Sequence, residues 1–132
     1  MSENDKPEIG SLSWFDLTVP NAEEVRDFYG KVIGWQHEPV SMADGKYDDY
    51  NMKTPASGLT VTGVCHSRGV NADLPPQWLL YFIVENLDKS IDECKKNGGK
   101  VLAGPKNMEK YGSYCVIEDP AGAVCALFEP AE

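Results

Sequence analysis

Residues 19–30 read VPNAEEVRDFYG, and residues 84–95 read VENLDKSIDECK. Each stretch follows an apolar run, WFDLTV or LLYFIV, whose length and β-branched or aromatic content suit a strand. Each run then breaks at an asparagine. The pairs Val19/Val84, Asn21/Asn86, Asp27/Asp92 and Gly34/Gly99 share one spacing of 65 positions (84 − 19, 86 − 21, 92 − 27, 99 − 34), and Pro55-Ala56 returns as Pro120-Ala121 at the same spacing. These matches fall where a strand ends, a helix is capped or a turn is made. The chain therefore reads as an internal duplication, so whatever one half builds, the other is expected to build again.

Two helices are expected after the asparagines. Asn21 followed by Glu24 is a capping-box signature, and Asn86 with Asp88 behind it is a weaker N-cap with a favourable first-turn carboxylate. In the first helix Val25, Phe28, Tyr29 and Val32 recur at the spacing of a buried stripe; in the second the stripe is Leu87, Ile91 and Cys94. Lys95 and Lys96 suit a last turn, with Gly98-Gly99 stopping the helix near Asn97. Strand-like text follows each helix. The first half offers WQHEPV, a hairpin signal at Asp44-Gly45, KYDDYNM, a turn near Pro55 and GLTVTGVC. The second offers KVLAGPKNM, GSYCVIE, the turn DPAG and AVCALFE.

Each half is thus a βαβββ unit. The expected fold is α+β, two tandem βαβββ modules forming a curved mixed sheet around a cup. Residues 1–11 are expected to be a flexible N-terminus and 12–132 a single domain: module one 12–65, linker 66–77 (HSRGVNADLPPQ) and module two 78–130. At 132 residues the chain is long enough for one well-packed domain and short for two independent ones.

The formal charge of −9, from 21 acidic against 12 basic residues, comes with no basic run, which argues against nucleic acid and anionic membranes as partners. The N-terminal text MSENDKPEIGS lacks a signal-peptide pattern, and no apolar run approaches the roughly 18 residues of a membrane span. A cytoplasmic location is expected. Cys65, Cys94, Cys115 and Cys125 form no C-x-x-C pair and read as small buried apolar side chains.

With LTVPNAEEVRDFYGKVIGW opening the first half, WLLYFIVENLDKSIDECKKNGGKVLAGP opening the second and VIEDPAGAVCALFEP closing it, the chain resembles the vicinal oxygen chelate superfamily. That group includes glyoxalase I, bleomycin-resistance proteins, extradiol dioxygenases and many glyoxalase-like bacterial proteins. The resemblance implies a divalent ion held by the first and last strands of each half. It also implies association as a homodimer. Carried over by register, the four ligand positions fall on Trp14, Val61, Leu79 and Ala126, none of which offers the imidazole, carboxylate, carbonyl or thiolate that such an ion requires. His37 and His66, the latter opening the linker, match no ligand position. No metal and no other cofactor is expected.

Strand alternation leaves Trp14, Asp16 and Thr18 for the cup, joined from the second half by Leu79, Tyr81 and Ile83 and from the closing strand by Val124, Ala126 and Phe128. The expected ligand-binding set is Trp14, Asp16, Val61, Leu79, Tyr81, Ala126 and Phe128, suited to a small, partly aromatic or apolar organic molecule with Asp16 orienting a donor or cation. Core filling by Trp14 and Tyr81 is the bland alternative. A metal-free acid-base enzyme would use Asp16 as general base, its pKa raised by desolvation, and Tyr81 as polarising donor. A glyoxalase-type metal lyase or dioxygenase requires a different register.

Overall fold

The expected element order is present twice. The computed structural model describes residues 7–131, in which β1 (Leu12–Val19), α1 (Ala22–Val32), β2 (Gln36–Met42), β3 (Tyr47–Lys53) and β4 (Thr60–His66) make the first βαβββ set. The second set is β5 (Trp78–Ile83), α2 (Leu87–Lys96), β6 (Lys100–Asn107), β7 (Gly112–Glu118) and β8 (Val124–Pro130). Parallel and antiparallel pairs are mixed, so the fold is α+β. Among the described residues no helix is long and apolar enough to cross a membrane.

The chain divides into two compact units. Phe15–Trp78 form one; residues 7–14, with 79–131, form the other. In the first the strand order is β2-β3-β4-β1, with β4 and β1 parallel. In the second it is β5-β8-β7-β6, with β5 and β8 parallel. A parallel neighbour at this point is what a βαβββ chain requires, because its helix crossover lets the last strand return beside the first.

In the Phe15–Trp78 unit α1 lies on the face carrying Leu17, Val19, Tyr50, Met52 and Val64, with Val25, Tyr29, Trp35 and Trp78 packed against them. The ring of Tyr29 contacts both Trp35 and Trp78, and Trp78 Nε1–H donates to the Tyr29 hydroxyl at 3.2 Å. Thr62 shares this face without cost to the core, since its hydroxyl donates to the Phe15 carbonyl at 2.6 Å. In the other unit α2 places Leu87 and Ile91 against Cys115, with Val84, Val101, Ile117 and Leu127 around them. The four cysteines are free thiols, and Cys65, Cys115 and Cys125 lie in strands.

Three local expectations change. The capping strengths reverse: Asn86 Oδ1 accepts from Lys89 N–H at 3.0 Å, whereas Asn21, with ψ at 54° and outside the extended region, makes no cap and donates its amide to Glu24 Oε1 instead. The α1 stripe is narrower than its periodicity, because Val25 and Tyr29 reach the core while Phe28 and Val32 stay 55% and 62% exposed. His66 is the last residue of β4, paired with Val19, and is no part of a loop.

The turns follow their residue types. Asp44 and Gly45 take positive φ in the hairpin between β2 and β3, and Gly98 does so just after α2. In DPAG, Asp119 Oδ1 accepts from the N–H groups of Ala121 and Ala123, closing the turn into β8. Of residues 1–11, expected to be flexible, 1–6 lie outside the described residues. Gly10 N–H donates to the Ile83 carbonyl at 2.8 Å and Ile83 N–H to the Ser11 carbonyl at 2.9 Å, so the chain is held to β5 from Gly10.

Candidate functional site

The face of the Phe15–Trp78 sheet opposite α1 is built by alternation in YDDYNMK. Tyr50 and Met52 turn to the helix and are buried, which sends Asp49, Asn51 and Lys53 to the other side. Across the strands the register aligns Asp16 with Gly63, Gly63 with Asn51, and Asn51 with Glu38. One row further, Thr18 pairs with Cys65 and Val40 with Asp49.

Gly63 stands at the centre of this face. A Cβ added there would meet the Tyr50 carbonyl at 3.5 Å, Asp16 Cβ at 3.7 Å and Cys65 Sγ at 3.7 Å, all ordinary contacts. The packing therefore admits a methyl group that the residue does not supply, leaving a notch between Asp16 and Cys65.

The charges are arranged asymmetrically. Lys53 Nζ is 3.0 Å from Glu38 Oε1 and, together with a hydrogen bond from Asn51, holds the Glu38 carboxyl below the usual range. Asp49 is mostly buried, and its Oδ1 accepts from His66 N–H at 2.8 Å. Burial, and then the neighbouring carboxylates of Asp16 and Asp49, push the Cys65 thiol far up, with Asp49 its hydrogen-bond partner. Cys65 is consequently a neutral thiol at physiological pH and a poor nucleophile or metal ligand. The His66 ring sits 2.8 Å through Nδ1 from the Asp48 carbonyl and 3.5 Å from Asp49 Oδ1, tying the end of β4 to β3.

The other candidates lie elsewhere. Val61 falls at a bulge, since Met52 pairs with Thr62 but Lys53 with Thr60, so strict alternation does not fix its side chain. Trp14, half-buried on β1, belongs to the same compact unit as Tyr81. In that unit Tyr81 aligns with Ala126 and Ile83 with Phe128, and the Tyr81 and Tyr114 ring centroids are 6.2 Å apart. Leu79 and Ala126 are 1% and 0% exposed; Tyr81 and Phe128 keep part of their surface. The two acid-base candidates thus fall in different units, Asp16 in one and Tyr81 in the other.

This second unit also carries a groove of about 320 Å³ lined by Pro7, Ile9, Ile83, Val84, Glu85, Glu129 and Pro130. Glu129 Oε1 accepts from Leu87 N–H at 2.7 Å, so a strand carboxylate caps the start of α2. Residue alternation alone did not single out Asp49, Asn51, Cys65 or Gly63. The available signal was the polar and apolar alternation of DYNMK (residues 49–53), whose polar half has no reason to recur unless it faces a common surface.

A family model, Glyoxalase/Bleomycin resistance protein/Dioxygenase superfamily, matches residues 11–127. The chain belongs to this superfamily. Among curated members of similar sequence, a protein named as a glyoxylase, CFP32 of Mycobacterium bovis, is 28% identical over 124 residues, covering 94% of this chain and 46% of its own length. The anthracycline biosynthesis protein DnrV of Streptomyces peucetius is 28% identical, covering 90% of this chain and 46% of its own length. The chain thus spans about half the length of the curated relatives it matches. Two solved structures share the fold: methylmalonyl-CoA epimerase from Mycobacterium tuberculosis (17% identity, TM-score 0.53, 93% of this chain and 89% of that one) and the protein BH1468 from Bacillus halodurans (13%, TM-score 0.56, 95% and 97%).

Superfamily membership raises the question of the divalent ion, and the residues present do not fit it. The four register positions carry an indole and three aliphatic side chains. Among the described residues no group of three or more His, Cys, Asp or Glu side chains comes together to hold a metal. The protonated Cys65 between two carboxylates does not repair the deficit.

Proposed function

We propose that this glyoxalase-superfamily chain binds a small organic molecule that combines an aromatic or apolar body with a cationic or hydrogen-bond-donating group. The observation that carries this reading is the row of Asp16, Gly63 and Asn51 across adjacent strands, with Cys65 beside it, on a sheet face that no helix of its own unit covers. Asp16 is the anchoring carboxylate, and the notch at Gly63 lets part of the ligand approach the backbone. A relative named for the biosynthesis of anthracyclines, which are polycyclic aromatic molecules, is consistent with such a ligand. We also read the chain as a homodimer acting in the cytoplasm.

Saturation-transfer NMR with 2-phenylethylamine, 2-phenylethanol and phenylacetate tests the reading. The amine should give the strongest signal and the carboxylate the weakest, and Asp16→Asn should erase the preference for the amine over the alcohol. Equal signals from all three, or preference for the anion, would refute it. A metal-free acid-base role for Asp16 is the second reading, favoured by its half-buried position beside Cys65. Once a substrate is identified, unchanged turnover in Asp16→Asn would exclude that role.

A further inference from the structure

His66 holds Asp49 through both its backbone and its ring. The backbone N–H donates to Asp49 Oδ1 at 2.8 Å, and ring Nδ1 lies 3.5 Å from the same oxygen and 2.8 Å from the Asp48 carbonyl. A carbonyl only accepts, so in the neutral ring Nδ1 carries the hydrogen and Nε2 is the nitrogen that takes a second proton. Once it does, the positive charge is shared across the ring and stands beside the Asp49 carboxylate. Both side chains are mostly buried, 16% and 14% exposed, so solvent screens this pair less than a surface pair.

The surroundings leave Asp49 as the group on which that charge acts. On β3 the Tyr47 and Tyr50 rings flank the imidazole at centroid distances of 5.7 and 6.2 Å, and Asp48 is exposed. Arg68, beyond β4, lies over the Tyr47 ring at 4.2 Å; Arg26 of α1 lies over the Tyr50 ring at 4.6 Å and pairs with Asp27. Glu23 of α1 accepts from the Tyr50 hydroxyl at 3.3 Å, and His37 of β2 contacts the Tyr50 ring. On β1 the partner of His66 is the uncharged Val19. Asp49 also belongs to the candidate face, where it is hydrogen-bonded to Cys65, the thiol that Asp16 neighbours from β1.

We propose that His66 makes cation binding on this face pH-dependent. With a neutral ring, Asp49 adds its negative charge to that of Asp16 beside the Gly63 notch; with a protonated ring, the imidazolium at 3.5 Å offsets Asp49 and the face attracts a cation less. Histidine is the side chain whose ordinary charge change falls between about pH 5 and 8, so amines bind more tightly in the upper part of that range. The switch rests on the amine-binding reading above and adds to it the group that regulates the site.

NMR titration of the full chain with 2-phenylethylamine at about pH 8 and about pH 5.5 tests the switch, since an aliphatic ammonium group stays protonated at both. The dissociation constant should be about fivefold larger at the lower pH, and that of 2-phenylethanol should not change. His66→Gln, whose amide can still donate to the Asp48 carbonyl, and Asp49→Asn should each bring the amine's ratio to about one, whereas His37→Gln should leave it at about fivefold. In the parent protein at about pH 8, nitrogen-15 spectra should show the His66 ring as the Nδ1–H tautomer; the Nε2–H form would remove the contact with Asp48 and overturn the switch without any variant. Absence of amine binding at either pH overturns the ligand reading and the switch with it. Amine binding that is equal at both overturns the switch alone, as does a ratio that survives in His66→Gln or disappears in His37→Gln.

Discussion

Gly63 and the capping asparagines make the sharpest claims at the level of single residues. Because a Cβ at position 63 would meet only ordinary contacts, Gly63→Ala should be tolerated and raise the urea midpoint by an amount equivalent to about 0.4 to 1 kcal/mol, through the lost freedom of the unfolded chain. The same methyl fills the notch beside Asp16, so the variant should also lose binding of 2-phenylethylamine; instability, or binding at full strength, would show that the notch is not what the glycine provides. Asn86→Ala should cost about 1 kcal/mol in urea unfolding, whereas Asn21→Ala should cost clearly less, since only Asn86 caps its helix. The thiols add a pH dependence. Burial pushes Cys115 from its ordinary 9.0 up to about 11, so the folded state favours the neutral thiol and the unfolded state ionises first. The stability this represents is fully present below pH 9 and is lost as pH rises toward 11. Urea midpoints measured across that window should fall, and should fall less steeply in Cys115→Ala.

At the level of elements, the helices separate what periodicity can and cannot say. Of the α2 stripe, Leu87 and Ile91 are buried as their spacing implies and Cys94 is partly exposed, with Gly98 in the left-handed conformation just past the helix end. The α1 stripe looks equally good in sequence, yet Phe28 and Val32 remain outside while Ala22, Val25 and Tyr29 make the contact with the sheet. Periodicity reports an apolar side of a helix, not which chain buries it. Strand β8 also supplies a helix cap that no local pattern announces. Glu129→Ala removes the carboxylate that accepts from Leu87 N–H and should destabilise the protein by about 0.5 to 2 kcal/mol, seen as a lower urea midpoint and faster amide exchange in the first turn of α2. Unchanged exchange there would mean that water serves the N–H as well as Glu129 does.

For the molecule as a whole, the decisive chemistry is that of the donor set. The positions that hold a divalent ion in the metal-using relatives implied by the resemblance are Trp14, Val61, Leu79 and Ala126 here. Protein dialysed against zinc, nickel, manganese and ferrous ions should retain far less than one equivalent by plasma mass spectrometry; retention of a full equivalent would mean that other residues assemble the site. Most of the fold was legible because its parts are local and repeated: apolar runs, Asn breaks, glycine stops and the DPAG turn each carry their own stereochemical reason, and the duplication states each one twice. The polar side of the Phe15–Trp78 sheet was less legible. Asp16 was identifiable by alternation from the aromatic strand around it, whereas Val61 was not, because a bulge between β3 and β4 breaks the parity on which such a reading depends.

The sequence by itself determined two βαβββ modules, the places where their helices begin and the end of the second of them. Only the tertiary structure decided which polar groups become neighbours. Asp16, Asp49, Asn51 and Cys65 lie on three different strands, and their grouping follows from hydrogen-bond register, a long-range property that no local pattern encodes. The same holds for the exposed side of α1. Which apolar side chains of a helix become covered is decided by packing and not by their spacing.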